Sequence, residues 1–389
     1  MDIHAEIGRA IDNYKDKAVS ISHQIHEKPE LKFQEHFAAG LLTEAAREIG
    51  LVVETGTGGL ATAFRAEFGS GNGPTVAILA EYDALPNGHS CGHNLIACAA
   101  LSAVAGLKNG ATNLPGKIVF LGTPAEEGGG GKIILLDKGA LRGVDAAMMA
   151  HPFDGEACTM PALATRHLDI TFNGKASHAA AAPWDGSSAL SAVIQTFQSV
   201  DSARLHIRDG ARIHGIITNG GQAVNIVPEK TQCQFLVRGK TSKYTNEIAD
   251  RVLRCAEAAA LATGTKMTHQ VIGGYKNMIN NLAMARHYSA LTESLGVHSP
   301  EAPPDSPTGS TDMGDISHAM PAIHPIFQIA KRGEGSCHED TFVKHTDSEH
   351  GYAAMIRVAK ALAMTAYDLL ADPALMKAAK DEFAQRQES

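Results

Sequence analysis

The chain has 389 residues, 44% of them hydrophobic, 20% charged and 5% aromatic. At about 100–200 residues per domain the length points to two domains, and the apolar content excludes an intrinsically disordered chain. Lys plus Arg number 34 against 42 Asp plus Glu, a net charge of −8 with no basic run, which argues against nucleic acid as a partner. No stretch of about 18 apolar residues is present to span a membrane. The polar start, Met1-Asp2-Ile3-His4-Ala5-Glu6, lacks the basic-then-apolar pattern of a signal peptide. Six scattered cysteines fit a reducing cytoplasm better than a disulfide framework. The 19 histidines direct attention to metal and acid–base chemistry.

Apolar residues near 3.6 spacing predict two helices across 7–49, broken at Lys28-Pro29-Glu30. From Leu51 short apolar runs ending in Gly, Pro or Asp predict strands at 75–80, 117–121 and 146–150, with helices at 95–107 and 132–141 between them. That alternation predicts a mostly parallel, doubly wound α/β sheet. From about Arg166 the pattern changes to strand 167–172, helix 187–200, strands 212–218 and 232–238, helix 246–262 and strand 266–271. This βαββαβ order predicts a compact α+β, ferredoxin-like unit. Beyond Gly274 a strand at 325–330 and a closing helix at 348–370 follow, with a rigid loop at 301–307. The expected organisation is a large α/β catalytic domain, 1–165 and 275–389, interrupted by a smaller domain at 166–274.

Metal-type ligands collect just past the predicted strand ends. Glu81-Tyr82-Asp83 and His89-Ser90-Cys91-Gly92-His93 follow the first run, Glu126-Glu127 the second, His151 the third, and Cys337-His338 the strand at 325–330. In open α/β sheets these ends form the ligand crevice. Cys91 and His93, separated by a glycine, can face one metal; a Cys–His nucleophile pair and a plain buried cysteine are the alternatives. Surface Glu-Glu pairs are mostly solvated turns, but the glycines 128–131 that follow Glu127 suit close backbone approach at a site. One glutamate can then ligate while its neighbour acts as a base. In the smaller domain, His178 lies in the small-residue stretch Gly174-Lys-Ala-Ser-His-Ala-Ala180, and Asn225 and Arg238 add an amide and a carboxylate clamp.

These pieces together resemble a known family, the dinuclear metallopeptidases that include aminoacylase, glutamate carboxypeptidases and amino-acid-conjugate amidohydrolases. The matching segments are His26-Glu-Lys-Pro-Glu-Leu31, Asp83-Ala-Leu-Pro86, His89-Ser-Cys-Gly-His93, Thr123-Pro-Ala-Glu-Glu-Gly128, His151-Pro152, Ser177-His-Ala-Ala180, Gly220-Gly-Gln-Ala-Val-Asn-Ile-Val-Pro228, Gly309-Ser-Thr-Asp312 and Cys337-His338. They run in family order from about residue 26 to 342. The resemblance implies that Cys91, His93, Glu127, His151 and His338 bind two divalent metals, with Cys91 bridging. It implies Glu126 as general base, Asp83 as a catalytic-site residue, and His178 as a group reaching the partner subunit's site in a homodimer. Asn225, Arg238, Ser310 and Thr311 would contact substrate. Many relatives carry a metal-binding histidine where this chain has Glu81, and Asn94 replaces the aspartate usual after Cys-Gly-His. The wording is closest to aminobenzoyl-glutamate hydrolase-like proteins and dipeptidases acting before basic residues.

The implied reaction is metal-assisted hydrolysis of a small amide, with zinc or manganese, or else cobalt or nickel, lowering the pKa of a bound water from about 16 toward neutrality. Two rivals remain at this point: an aromatic amine hydrolase or deaminase using the same metals, and an inactive metal-bound binding protein.

Overall fold

The computed structural model describes residues 2–69, 71–303, 306 and 309–387, so Pro304, Asp305 and Pro307 of the predicted loop lie outside the described residues. The chain divides into two compact units, one within 1–161, 278–308 and 312–389, the other 162–277 with 309–311. The first begins with α1 (Ile3–Glu27), α2 (His36–Glu48), β1 (Val53–Thr55), β2 (Phe64–Gly69) and β3 (Thr75–Ala80). It continues with α3 (His93–Gly110), β4 (Lys117–Gly122), α4 (Gly131–Asp137), β5 (Ala146–Met148) and β6 (His151–Phe153). The second unit holds β7 (Ala164–Asn173), α5 (Ala189–Ala203), β8 (Arg212–Asn219), β9 (Lys230–Gly239), α6 (Ser242–Thr263) and β10 (Lys266–Gly273). The first then resumes with α7 (Leu282–Ser294), α8 (Met313–Ser317), β11 (Ala322–Ile323), β12 (Ile326–Gln328), α9 (Asp340–Val343), α10 (Glu349–Ala371) and α11 (Pro373–Gln387).

Among the described residues, the larger unit carries a six-stranded sheet in the order β1-β2-β4-β3-β5-β11. β4, β3, β5 and β11 run parallel, and β3 is buried from Val76 to Ala80, as a strand covered on both faces must be. β2 and β1 add an antiparallel edge that the sequence reading missed. Their half-exposed, partly polar residues do not form the continuous apolar runs that mark the central strands.

The strand predicted at 146–150 stops at Met148, and His151 opens a separate strand. The strand predicted at 325–330 shrinks to β12, which pairs in parallel with β6 as a second small sheet, Ile326 opposite His151. Pro325 separates β12 from the short β11 before it, because proline cannot donate to a ladder. The helix predicted at 132–141 ends at Asp137, before the left-handed Gly139 and Gly143.

Packing is led by α1, α3 and α10. Ile7 and Ile11, Leu101 and Val104, and Met355 and Leu362 share one core with Ile78 and Phe120 of the sheet. Each such side chain contributes about 1.5–3 kcal/mol on burial. α3 is alanine-rich and buried from His93 to Leu107, so its first turn is carried into the interior. Ser348 caps α10 by accepting from Gly351 N–H, which fixes the closing helix one residue inside its predicted start.

The smaller unit has the expected βαββαβ order, its four strands arranged β10-β7-β9-β8 and all antiparallel. α5 and α6 pack with the sheet through Val193, Ile248 and Val252 against Ile170, Phe172 and Phe235. β8 is an edge strand and leaves Ile216 and Ile217 exposed. No helix among the described residues is long and apolar enough to cross a membrane.

Candidate metal centre

β3 delivers Glu81, Tyr82 and Asp83 at its C-terminal end, and α3 starts at His93. Gly92 caps that helix at φ +73°, and a Cβ there would stand 2.6 Å from Pro152 Cγ, so the tight Cys91-Gly92-His93 turn requires glycine. Asp83 ties the ends of two strands together. Its Oδ1 lies 3.1 Å from His93 Nδ1, and its Oδ2 accepts from Glu127 N–H at 2.9 Å. With Nδ1 committed, His93 presents Nε2 outward. His151 is arranged alike: its Nδ1 lies 2.8 Å from Pro152 O, leaving Nε2 open.

After β4 the chain turns sharply. Ala125 is left-handed at φ +61°, held by its N–H donating to the buried Glu35 at 2.9 Å. The turn carries both Glu126 and Glu127 to within 4.8 Å of His93, so the two carboxylates share one neighbourhood. Two of the glycines that follow are required by the packing of this turn: a Cβ at Gly129 would stand 2.6 Å from Ala125 Cβ. A Cβ at Gly131 would meet Pro124 O at 1.7 Å.

His338 does not follow a sheet strand directly. It sits in the loop beyond β12, left-handed at φ +75°, with its N–H donating to Ser90 O at 3.0 Å. Its ring Nε2 lies 3.5 Å from Glu127 Oε1, and its side chain is 60% exposed.

Three ligand groups therefore interlock: Cys91, His93 and His151; Cys91, Glu127 and His338; and His93, Glu126 and Glu127. The five metal candidates and Glu126 thus come together, although they are drawn from four separate stretches of sequence. Cys91, His93 and Glu127 each belong to two of these groups, so the three groups form one continuous cluster of donors. The smaller unit holds the remaining candidates. His178 is exposed, and its Nδ1 accepts from Ala181 N–H at 3.1 Å. The neighbouring Ala179 N–H donates to Asn225 O. Arg238 is half-buried and donates to Ser310 Oγ at 3.0 Å, and Thr311 is buried. Residues 309–311, assigned from sequence to the catalytic domain, cluster with this unit.

Four further buried groups, Lys132, Glu81, Asp312 and His324, accompany these candidates, and the sequence pattern places only Glu81 among the metal-type ligands. Lys132 bonds Glu81 and Asp312, and His324 packs its ring edge-on to His151 with centroids 5.7 Å apart. Glu81 follows the first strand and Asp312 lies in a quoted motif, so position marked both. Nothing local marked Lys132 or His324.

Burial raises the Glu126 carboxyl well above the carboxylate range, and the anions of Glu81, Asp312 and Glu127 add to it. Burial also lowers His151 to about 3 and His324 to about 4, keeping both rings neutral and able to offer a lone pair. Burial would raise Glu81 too, but Lys132 and the nearby histidines outweigh it and hold Glu81 at about 2. Asp312, on the same ammonium, is pushed up by burial to about 6, so Glu81 is the firmer anion.

The donor set suits a divalent cation. His93 Nε2, Glu81 Oε1 and Glu127 Oε1 are buried without a hydrogen-bond partner, the nitrogen 3.3 and 4.0 Å from the two oxygens. Each such orphan costs about 1–3 kcal/mol, and a cation among them would satisfy all three. Thiolate and imidazole donors favour zinc, while the carboxylates admit manganese.

Residues 77–361 match the family described as peptidase family M20/M25/M40. The chain belongs to that family. It is 38% identical over 390 residues to the Xaa-Arg dipeptidase of Mus musculus, covering 96% of this chain and 90% of the relative. It is 29% identical to one of the chains of the p-aminobenzoyl-glutamate hydrolase of Escherichia coli K12, covering 99% and 95% of the two. In fold it resembles the crystal structure of a Bacillus subtilis protein described as a dinuclear metal binding peptidase of the M20 family. There the TM-score is 0.72 and the identity 20%, over 92% of this chain and 99% of the other. Membership places the protein among the metallopeptidase-type hydrolases of amide bonds.

Proposed function

We propose that the protein cleaves the amide bond of a small N-acyl amino acid, dipeptide or aminobenzoyl-glutamate-like substrate, using two divalent metal ions, and that it works as a homodimer. The observation that carries this reading is the linking of neighbouring ligand groups through the shared residues Cys91, His93 and Glu127. Cys91, His93, Glu127, His151 and His338 would hold the ions, zinc or manganese, with cobalt or nickel compatible with the same donors. Bound there, the ions would polarise the scissile carbonyl and acidify a water.

The protein's own groups do the rest. Glu126 takes the proton of the attacking water and returns it to the departing amine. Asp83 holds His93 and the Glu127 backbone in register. His178 of the partner subunit donates to the developing oxyanion, a contribution of about 3 kcal/mol. Asn225, Arg238, Ser310 and Thr311 receive the substrate's carboxylate end, with the Arg238 guanidinium steadied on Ser310. The names of the mouse and E. coli relatives put dipeptides ending in arginine and aminobenzoyl-glutamate first among candidates. Both leave a free α-carboxylate for such a clamp. The exposed Ile216 and Ile217 of edge strand β8 support pairing of two copies.

The test is a screen of metal-reconstituted protein against Xaa-Arg dipeptides, N-acyl amino acids and aminobenzoyl-glutamate, read as free amine release. Hydrolysis of at least one class, abolished by chelator, is expected. Protein that holds two equivalents of metal and releases amine from none of them would overturn the proposal.

A further inference from the structure

Three distant segments meet on one ammonium beside the ligand groups. Lys132, in the first turn of α4, is fully buried. Its Nζ lies 2.5 Å from Glu81 Oε2 and 2.7 Å from Asp312 Oδ1, with no side chain of the three exposed. The Lys132 backbone N–H also donates to Asp312 Oδ2 at 3.0 Å. Asp312 thus engages both oxygens on the lysine, whereas Glu81 engages one.

The other Glu81 oxygen, Oε1, is buried without a hydrogen-bond partner and stands 3.3 Å from His93 Nε2, which also has none. A carboxylate present only as a structural staple would have no reason to leave an oxygen so. Buried ion pairs contribute little net stability, while an unpaired buried oxygen adds a cost. The arrangement makes sense if a cation belongs between Glu81 Oε1 and His93 Nε2.

Building on the two-metal reading above, we propose that Glu81 is a further metal ligand, and that Lys132 is the positioning residue that turns its free oxygen toward the ion held by His93. The lysine consumes one oxygen and so fixes where the other points. Asp312 in turn locks the lysine through both its side chain and its backbone. The carboxylate just past the end of β3 becomes part of the ligand set by this anchoring.

Glu81→Gln and Asp312→Asn separate the idea from a structural role, because each removes one carboxylate charge from the same ammonium and only Glu81 faces His93. Zinc affinity is measured by competition with a chromophoric chelator, and the visible absorption of the cobalt-loaded protein is recorded alongside. Glu81→Gln should weaken one of the two zinc sites by about 10- to 100-fold and change the cobalt spectrum. Lys132→Met should do the same, having released Glu81. Asp312→Asn should keep the wild-type spectrum and an affinity within about threefold, since the lysine still holds Glu81. If Glu81→Gln does not fold, Glu81→Asp replaces it, keeping the charge but withdrawing the oxygens by one methylene. Unchanged affinity and spectrum in the Glu81 variant, or equal changes in the Glu81 and Asp312 variants, would overturn the inference while the two-metal reading stands. Wild-type protein that binds no metal would overturn both.

Discussion

Truncation of Glu35 to alanine tests how the turn that carries Glu126 is held. The side chain is fully buried, with Oε1 accepting from Phe33 N–H at 2.8 Å and Ala125 N–H at 2.9 Å, and Oε2 from the Thr62 hydroxyl at 2.8 Å. Phe33 and Ala125 are both left-handed, at φ +62° and +61°, a conformation that costs an L-residue about 1–2 kcal/mol. One carboxylate therefore stabilises two strained residues, and the second of them immediately precedes Glu126. Removing it orphans two buried donors, Ala125 N–H and the Thr62 hydroxyl, and the part-buried Phe33 N–H, at up to about 1–3 kcal/mol each before relaxation, so Glu35→Ala should lower the unfolding free energy by about 3–5 kcal/mol.

Glu35→Gln is the informative partner. Burial already raises the Glu35 carboxyl above its ordinary value, so a neutral side chain suits the site. The amide keeps one oxygen for both backbone N–H groups and can donate to Thr62, for a loss of about 1 kcal/mol. Released from its hold, the turn should displace Glu126 by about 1 Å and cost on the order of 100-fold in kcat. Urea denaturation and kcat, corrected for folded fraction and bound metal, measure both effects. Glu35→Ala losing under 1 kcal/mol, Glu35→Gln losing as much as Glu35→Ala, or an unchanged kcat in folded Glu35→Ala would each refute this account.

Four other outcomes are expected. Glu126→Gln should lower turnover by several orders of magnitude with metal content near wild type, while replacing Glu127 should also reduce bound metal; a Glu126→Gln enzyme keeping about a tenth of its rate would remove it as the base. Cys91 should resist alkylation in metal-loaded protein and react after chelation, and equal labelling in the two states would exclude it as a ligand. Refolding His178→Ala and Glu126→Gln chains together in equal amounts should restore about a quarter of wild-type activity, because about half the dimers are mixed and each mixed dimer has one intact site; no recovery in verified mixed dimers would reject the shared site. Burial would raise the Asp368 carboxyl, but His287 and His4, at 2.7 and 2.8 Å, outweigh it and hold it below the ordinary range. Its stabilisation is therefore present above the unfolded value of about 4 and lost as pH falls through the folded one, so between about pH 5 and 3 the thermal midpoint should drop more steeply for wild type than for Asp368→Asn, and equal slopes would contradict the assignment.

What the sequence alone determined is what local patterning carries. The central strands, buried on both faces, appear as continuous apolar runs, and the helices of the smaller unit as 3.6-periodic ones, so both fold classes were legible. The ligand types past the strand ends were legible as well, since parallel strands discharge their chemistry at one edge of the sheet. The antiparallel edge β1–β2 was not, because a half-solvated edge strand lacks an apolar run. The division of 321–328 into β11 and β12 depended on tertiary pairing with β5 and β6.

Tertiary structure alone decided how the site is held. Lys132 and Asp312 are 180 residues apart, and Glu35 and Ala125 are 90 apart. No spacing rule joins such pairs, because periodicity reports which face a residue occupies and not which distant segment the fold brings against it. Buried charges find their partners only once the interior closes around them and leaves no water to take the place of those partners.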